Sequence, residues 1–213
     1  MSLQYVIMFF YKGGEGIFIT FEGGEGAGKT TQIELLAKYI EKLGKPVCIT
    51  RDPGGTAISE KIRGLLKCES SSGLFQETEL LLFLAARSQM VREIIVPSLN
   101  QGSIVICDRF TDSTLAYQGG IESPLLRQMC DFAADGLVPD LTFFLEIEPE
   151  AGLARKLEQS HHDRMELKGT EFHKKVFERY RLEAALHPKR VVTIDATLPV
   201  DEIHAQIRRK IYG

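Results

Sequence analysis

The feature that most constrains this chain is the glycine-rich stretch Gly23-Gly24-Glu25-Gly26-Ala27-Gly28-Lys29-Thr30. It fits the phosphate-loop pattern G-x-x-x-x-G-K-[ST] at every position. The apolar run Ile17-Phe18-Ile19-Thr20-Phe21 precedes it and has the length and composition of a strand. Apolar residues recur at helical spacing after it, at Ile33, Leu36, Ala37, Ile40 and Leu43. Strand, glycine loop and helix therefore come in the order that a phosphate-binding loop requires.

This loop is predicted to bind the phosphates of a nucleoside triphosphate. Glycines let the backbone approach a phosphate closely, and the first amides of the following helix point at the anion. Lys29 would bridge the β- and γ-phosphates, and the Thr30 hydroxyl would hold Mg²⁺. The alternative, a glycine-rich turn with a surface lysine, leaves the flanking strand and helix unexplained. The predicted triphosphate-binding residues are Gly23, Gly24, Gly26, Ala27, Gly28, Lys29, Thr30 and Thr31.

Charge and composition argue against several classes of partner. The chain has 213 residues and a formal net charge of -3, so it has no global basic field to attract nucleic acid or an anionic membrane. No apolar run reaches the ~18 residues that are needed to cross a bilayer. The four cysteines lie far apart and show no metal-type spacing, which favours a reducing cytoplasm.

Strand-like and helix-like segments alternate along the chain. The predicted strands are residues 17–21, 47–50, 103–107, 141–147 and 191–194. This alternation predicts one α/β domain over residues 1–213, with a P-loop NTPase-type parallel sheet of about five strands and helices on both faces. Residues 1–15 are predicted to form a tail or an edge element.

Charged residues follow two of the predicted strands. Arg51-Asp52-Pro53-Gly54-Gly55-Thr56 comes after the second strand and Asp108-Arg109 after the third. Open α/β sheets bind ligands at the carboxyl ends of their strands. Asp108 is therefore a candidate for holding Mg²⁺ or its water shell, and Arg109 can clamp a phosphate with two hydrogen bonds. Taken alone, the segment 51–56 is equally compatible with an ordinary polar loop.

A long helix is predicted over residues 77–96 and is expected to end at Pro97. Its centre is apolar on nearly all sides, except for Arg87, which lies four residues after Phe83 and shares its face. One interpretation is a structural ion pair beside a core phenylalanine. The other is a ring that stacks on a base while the guanidinium hydrogen-bonds that base.

Two further polar segments are candidates for ligand contacts. Residues 109–120 are rich in hydrogen-bonding groups and are predicted to line a polar substrate pocket, although any one of them can also serve as a capping group. Residues 153–168 turn polar from Arg155 onward and offer little to bury, which is typical of a mobile lid. A solvated charged loop would have the same composition.

Several short strings of residues make the chain resemble the thymidylate kinase family, a group of P-loop nucleoside monophosphate kinases, from about Gly16 onward. The phosphate loop is shared by many NTPases, whereas the combination and order of the other strings is specific to this family. The matching strings are Glu22 to Thr31, Arg51 to Thr56, Leu84-Ala85-Ala86-Arg87, Asp108-Arg109-Phe110, Ser113 to Gly119, and Pro139-Asp140-Leu141-Thr142.

The resemblance implies phosphoryl transfer from MgATP to dTMP, and a homodimer. It implies that Phe83 stacks on thymine and that Arg87 reads a carbonyl edge of the base. It assigns the acceptor's 5′-phosphate to Arg51 and Arg109, and the acceptor sugar's 3′-hydroxyl to Glu25. Further residues implied to line the acceptor are Ser113, Thr114, Tyr117 and Gln118, and the implied metal-binding pair is Thr30 and Asp108.

The phosphate loop differs from that of some family members because it carries no arginine at its variable positions. The bacterial type of this family supplies that positive charge from the lid. Arg155 and Arg164 are the candidates for this role. The predicted catalytic residues are Lys29, Arg109, Arg155, Arg164 and Glu25.

Other functions stay open on the residues alone. A kinase for AMP, UMP, CMP or dUMP, a nucleoside kinase, and a nucleotide-binding module without catalysis would all carry the loop. A guanine-specific switch is disfavoured, because such proteins use Asn-Lys-x-Asp and the single asparagine, Asn100, is followed by Gln101.

Overall fold

The computed structural model describes residues 16–71, 73–119, 123–157 and 168–212. Five strands form one parallel sheet in the order β2-β3-β1-β4-β5. Every predicted strand is present, and each of its bounds lies within one residue of the one expected. The strands are β1 Ile17–Glu22, β2 Val47–Arg51, β3 Ile104–Asp108, β4 Leu141–Glu146 and β5 Val191–Asp195.

Helices connect these strands and cover the sheet, as the alternating pattern predicted. A 3-10 turn at Glu69–Ser71 and a π-helical segment at Val91–Ile95 complete the connections. The α-helices are α1 Lys29–Lys42, α2 Ala57–Lys67, α3 Gln76–Met90, α4 Val96–Asn100, α5 Thr111–Tyr117, α6 Pro124–Ala133, α7 Pro149–Leu157, α8 Thr170–Leu186 and α9 Val200–Tyr212.

The central strand β1 is buried on both faces, which explains its unbroken apolar sequence. Alternate side chains point to opposite faces of the sheet. Ile19 and Phe21 pack against α1 and α9, through residues such as Leu36 and Ile207. On the other face, Phe18 packs in a second cluster with Met90, Val91, Ile95 and Val105. The apolar clusters on the two faces of the sheet hold β1 in place, and so they fix the point at which the phosphate loop begins.

The expectation that Pro97 ends the long helix is wrong. The helix continues through the π-helical segment into α4, where Pro97 occupies the second position. The Val96 N–H donates to the Val91 carbonyl, which is the wider hydrogen-bond spacing of a π-helix. This wider turn gives the proline ring room, and a proline near the start of a helix lacks only an N–H that would be unpaired there.

Two sequence predictions lie wholly or partly outside the described residues. The predicted tail, residues 1–15, is one of them. Of the predicted lid, residues 153–157 belong to α7 and Lys168 is described, whereas residues 158–167, which include Arg164, are not. Within the described ranges, no helix is both long and apolar enough to cross a membrane.

Candidate active site

The phosphate loop follows β1 directly and leads into α1. Gly26 has φ +66°, and a Cβ at this position would come 2.0 Å from the Gly152 carbonyl oxygen of α7, so only glycine fits. The buried Lys29 donates its ammonium to the carbonyls of Gly23 at 3.1 Å and Gly24 at 2.8 Å. Burial, together with nearby Arg109, lowers the pKa of Lys29. The loop thus holds its lysine in place with its own backbone.

A cavity of about 670 Å³ opens at the carboxyl ends of the strands, next to this loop. It has the position expected for a ligand site, because the order of the strands reverses at β1. Its lining combines the phosphate loop with residues that follow β2 and β3 and with one face of α3. The predicted site residues in this lining are Glu25, Gly26, Ala27, Gly28, Lys29, Thr30, Thr31, Phe83, Arg87, Asp108, Arg109, Ser113, Thr114, Tyr117, Gln118 and Arg155.

Arg109 joins the end of β3 to the phosphate loop. Its backbone is left-handed, with φ 69°, which turns the chain sharply after the strand. Its guanidinium donates to the Glu25 carboxylate at 2.7 Å, the Gly23 carbonyl at 2.8 Å and the Tyr180 hydroxyl at 3.0 Å. Burial alone would raise the pKa of Glu25, but Arg109 and Lys29 outweigh it and lower the pKa to about 2. Glu25 is therefore an anion at neutral pH.

Glu22, at the end of β1, lies behind the residues that line the cavity and is not among those predicted from the sequence. It is 1% exposed and accepts hydrogen bonds from the Phe110 N–H at 2.7 Å, the Ser113 hydroxyl at 2.5 Å and the Tyr180 hydroxyl at 3.1 Å. Burial, reinforced by the charge of Asp112, raises its pKa to about 7. The rule that drew attention to Asp108, an acid at the tip of a buried strand, applies equally to Glu22.

Ser113 was predicted to line the acceptor, and it does line the cavity. Its hydroxyl donates to Glu22, however, and it also lies 3.4 Å from Arg109 Nη1. Ser113 thus supports the residues that line the site. Its predicted contact with substrate stays a prediction.

Arg87 forms the structural ion pair that one of the two interpretations expected, while the other, a hydrogen bond to a bound base, stays a prediction. Its side chain and that of Asp52 are each 1% exposed and form an ion pair, as the structural interpretation expected. The same guanidinium also donates to the Thr114 hydroxyl at 2.6 Å and the Phe110 carbonyl at 3.1 Å, and Arg87 lines the cavity. Most of its N–H groups are therefore engaged by the protein itself.

One face of α3 borders the cavity through Phe83 and Arg87. Glu79, Phe83 and Arg87 are four residues apart, so they share this face. Opposite them, Thr114 and Gln118 are four residues apart at the end of α5. Glu79 pairs with Gln118 at 2.9 Å and Arg87 pairs with Thr114 at 2.6 Å, so the Phe83 ring lies between two hydrogen-bonded pairs.

Contrary to the prediction, Arg51 is not among the described residues that line the cavity. It forms an ion pair with Glu60 at 3.0 Å, in which the two side chains are 53% and 39% exposed. Among the described residues that line the cavity, Arg63 of α2 is present and Arg51 is not. Arg63 also donates to the Pro53 carbonyl at 2.7 Å. The rule that ligands bind at the carboxyl ends of strands pointed to Arg51, the last residue of β2, whereas the following helix supplies Arg63 to the cavity.

The residues predicted to hold Mg²⁺ fit that ion. Asp108 Oδ1 is buried and has no hydrogen-bond partner in the described structure, and Thr30 is exposed to the cavity. The described ranges contain no group of three or more His, Cys, Asp or Glu side chains suited to a metal. Mg²⁺ in phosphoryl-transfer sites takes only one or two protein oxygens and fills its shell with phosphates and water. An unpaired carboxylate oxygen beside a phosphate loop is therefore what such a site requires.

The other end of the cavity lies between α7 and α9. Arg155 of α7 donates to the Ala196 carbonyl at 2.8 Å, and both residues line the cavity. Leu198, Pro199 and Val200 continue this wall and give it an apolar surface. This arrangement suits a flat apolar group attached to a triphosphate.

The parallel sheet, the phosphate loop and a cavity that extends well beyond that loop define a P-loop protein that can hold a nucleoside triphosphate beside a second ligand. Comparison with known proteins gives the particular family. A family model described as Thymidylate kinase matches residues 21–207. The chain belongs to the thymidylate kinase family, and as a member it is a nucleoside monophosphate kinase that uses ATP.

Individual relatives agree with this assignment over most of their length. The thymidylate kinase of Lactobacillus acidophilus is 45% identical over 201 residues, which are 91% of this chain and 92% of that protein. The thymidylate kinase of Lactobacillus helveticus is 47% identical over 200 residues, covering 90% and 93%. A crystal structure of thymidylate kinase from Ehrlichia chaffeensis matches with a TM-score of 0.72 and 36% identity, covering 91% of this chain and 96% of that one.

Proposed function

We propose that this protein transfers the γ-phosphoryl group of MgATP to dTMP and so forms dTDP and ADP. The observation that carries the proposal is a cavity of about 670 Å³ that is lined both by the phosphate loop and by the Phe83 face of α3. Lys29 and Arg109 line the same cavity. A donor and an acceptor bound at its two ends would bring their phosphates together beside these cations.

The donor is expected at the phosphate-loop end. The backbone from Gly23 to Gly28 and the first residues of α1, through Thr31, would hold the triphosphate of ATP. Lys29 would exchange its bonds with the loop carbonyls for bonds with phosphate oxygens. The apolar wall that continues from Leu198 is suited to the adenine ring.

The acceptor is expected at the α3 end. The Phe83 ring offers a stacking surface between two hydrogen-bonding pairs, which suits a pyrimidine base. Tyr117 and Thr114 would complete the surroundings of base and sugar. Arg109, and Arg63 in place of the predicted Arg51, are the cavity-lining arginines suited to the 5′-phosphate.

The chemistry then consists mainly of positioning and charge neutralisation. The attacking oxygen belongs to a phosphate monoester that is already ionised, so no general base is needed. In-line alignment of the two phosphates supplies much of the rate, and fixed cations stabilise the charge of the transition state. Lys29 and Arg109 fit this role. The Glu25 anion holds Arg109 and can accept a hydrogen bond from the acceptor sugar.

Asp108 and Thr30 would hold Mg²⁺ beside the triphosphate. When bound, the ion neutralises charge on the phosphate oxygens. Arg155 lines the donor end of the cavity, and we propose that it and Arg164 add the positive charge that the phosphate loop lacks. Closure of the segment that contains Arg164 would also exclude water, a competing acceptor.

We further propose that the enzyme is a cytoplasmic homodimer. The four cysteines are free thiols, which supports a reducing compartment. Leu65 of α2 and Leu81 of α3 are 55% and 56% exposed, and these two helices pack together, which supports an interface on this side. Light scattering should give twice the chain mass for the wild type and the single-chain mass for Leu81→Glu.

The test of the activity is an ADP-release assay with MgATP and a panel of acceptors. The panel contains dTMP, dUMP, UMP, CMP and AMP. We expect the highest kcat/KM for dTMP. A preference for AMP or CMP would overturn the assignment of the acceptor, and no turnover with any of the five would indicate a binding module without catalysis.

A further inference from the structure

Glu79, in the first turn of α3, is a buried carboxylate that the proposed mechanism does not use. Its side chain is 3% exposed. It accepts a hydrogen bond from Gln118 Nε2 at 2.9 Å and forms an ion pair with Lys168 Nζ at 3.1 Å, both through Oε1. A carboxylate is rarely buried without such partners, because its desolvation is costly.

The hydrogen bond between Gln118 and Glu79 determines which way the Gln118 carboxamide points. An ionised carboxylate can only accept hydrogen bonds, whereas a carboxamide has a donor nitrogen and an acceptor oxygen that exchange places when the group turns over. The ion pair with Lys168 favours the ionised form of Glu79, so the amide nitrogen of Gln118 faces Glu79. The carbonyl oxygen of Gln118 must then point elsewhere.

That oxygen is available to a ligand. Gln118 lines the cavity, and its Oε1 has no hydrogen-bond partner among the described residues. The Glu79–Gln118 pair lies one helical turn from Phe83, on the opposite side from the Arg87–Thr114 pair. A base that stacked on Phe83 would therefore have the Gln118 oxygen at one edge.

We propose that Glu79 is a positioning residue that fixes Gln118 with its carbonyl oxygen toward the acceptor base. The proposal rests on the proposed function. Thymine and uracil carry an N–H at ring position 3, which can donate to that oxygen. Cytosine carries a lone pair there, which the oxygen repels. Glu79 thus sets the choice between these pyrimidines through the orientation of Gln118, without contacting the base itself.

The experiment compares kcat/KM for dUMP and dCMP, which avoids any effect of the thymine methyl group. Glu79→Gln keeps the shape of the side chain but offers a donor as well as an acceptor, so Gln118 can turn over. We expect the dUMP:dCMP ratio of kcat/KM to fall at least fivefold. Glu77→Gln, an exposed position in the same helical turn, is the matched control and should keep the wild-type ratio. A smaller fall in Glu79→Gln would overturn the proposal.

A purely structural role for Glu79 would lower kcat/KM for both substrates equally and leave their ratio unchanged. Should Glu79→Gln not fold, the double variant Glu79→Met/Lys168→Met removes both charges of the ion pair together, and the same threshold applies to it. In a Gln118→Met background, Glu79→Gln should not change the ratio further. A further change of the ratio in the Gln118→Met background would mean that Glu79 does not act through Gln118, and it would overturn the proposal.

The outcomes separate this proposal from the proposed function. If the wild type does not turn over dTMP, both the proposed function and the proposed role of Glu79 are overturned. A wild type that uses dTMP but does not distinguish dUMP from dCMP would overturn only the role of Glu79. The same holds for a wild type that distinguishes them while the Glu79 variants keep its ratio.

Discussion

The Arg109 guanidinium and the Glu25 carboxylate form an ion pair, with Nη2 2.7 Å from Oε1, that links the end of β3 to the phosphate loop. Tyr180 of α8 holds the other terminal nitrogen of Arg109 at 3.0 Å. The guanidinium is therefore oriented by parts of the chain that are distant in sequence. A side chain that is already ordered loses less conformational entropy when a ligand binds.

We expect Arg109→Ala to impair the use of dTMP far more than the binding of ATP. The change removes charge-assisted hydrogen bonds worth about 1.5–3 kcal/mol each, so kcat/KM for dTMP should fall at least ~100-fold. The Kd for ATP, measured by calorimetry, should change by less than about threefold, since the loop backbone supplies most phosphate contacts. Arg181→Ala, at an exposed position of α8, serves as the control. Nearly unchanged acceptor kinetics in Arg109→Ala would remove Arg109 from the site.

Asp108→Asn should change the dependence of activity on magnesium. The amide keeps the shape of the side chain but lacks the negative charge that attracts the ion. We expect the Mg²⁺ concentration for half-maximal activity to rise by about tenfold or more, as is typical when a group that supports a metal is altered. Asp131→Asn on the exposed side of α6 is the matched control. Identical magnesium curves for Asp108→Asn and the wild type would exclude Asp108 from the metal site.

Glu22 should make stability depend on pH. Its pKa is about 7 in the folded protein against an ordinary value of 4.5, mainly because it is buried. The folded state therefore binds this proton more tightly than the unfolded chain, and the resulting stabilisation is complete below pH 4.5 and is lost as the pH rises through 7. Glu22→Gln lacks this titration. Relative to the variant, the free energy of unfolding of the wild type should fall by up to about 3 kcal/mol across this window.

Urea unfolding at a series of pH values measures this difference directly. The comparison between wild type and variant cancels the titration of all other groups to a first approximation. A difference that stays constant from acid to neutral pH would show that Glu22 has no raised pKa.

Two ion pairs near β2 should differ greatly in their contribution to stability. Both side chains of the Arg87–Asp52 pair are 1% exposed, whereas those of the Arg51–Glu60 pair are 53% and 39% exposed. Asp52→Ala leaves a buried guanidinium without its carboxylate and should lower the free energy of unfolding by about 3–5 kcal/mol. Arg51→Ala should cost less than about 1 kcal/mol. Similar urea midpoints for the two variants would contradict this expectation.

Features coded by short stretches of sequence could be predicted. The phosphate loop was recognisable because its spacing, its flanking strand and its helix are contiguous. Asp108 and Arg109 could be predicted to lie beside the phosphate loop because parallel strands end at one edge of a sheet. The effect of Pro97 could not be predicted, because its usual disruption of a helix is offset by the π-helical turn before it, which no local residue preference indicates.

Contacts between distant segments could not be read in the same way. Tyr180 reaches Glu22 across 158 positions of sequence, and Glu79 reaches Gln118 across 39. Nothing near Tyr180 distinguishes it from the other apolar positions of an amphipathic helix. Arg51 and Arg63 likewise carry the same guanidinium, and only the packing of α2 against the sheet brings Arg63 to the cavity.

The sequence by itself determined the class of fold, the position of the phosphate loop and the family, because hydrophobic periodicity and glycine spacing act over a few neighbouring residues. The tertiary structure decided which side chains line the cavity and which bond to one another. Arg87 is largely engaged by Asp52 and Thr114, and Ser113 by Glu22. The physical reason is that each donor can satisfy only a limited number of acceptors, and which acceptors come within reach depends on how the helices pack over the sheet.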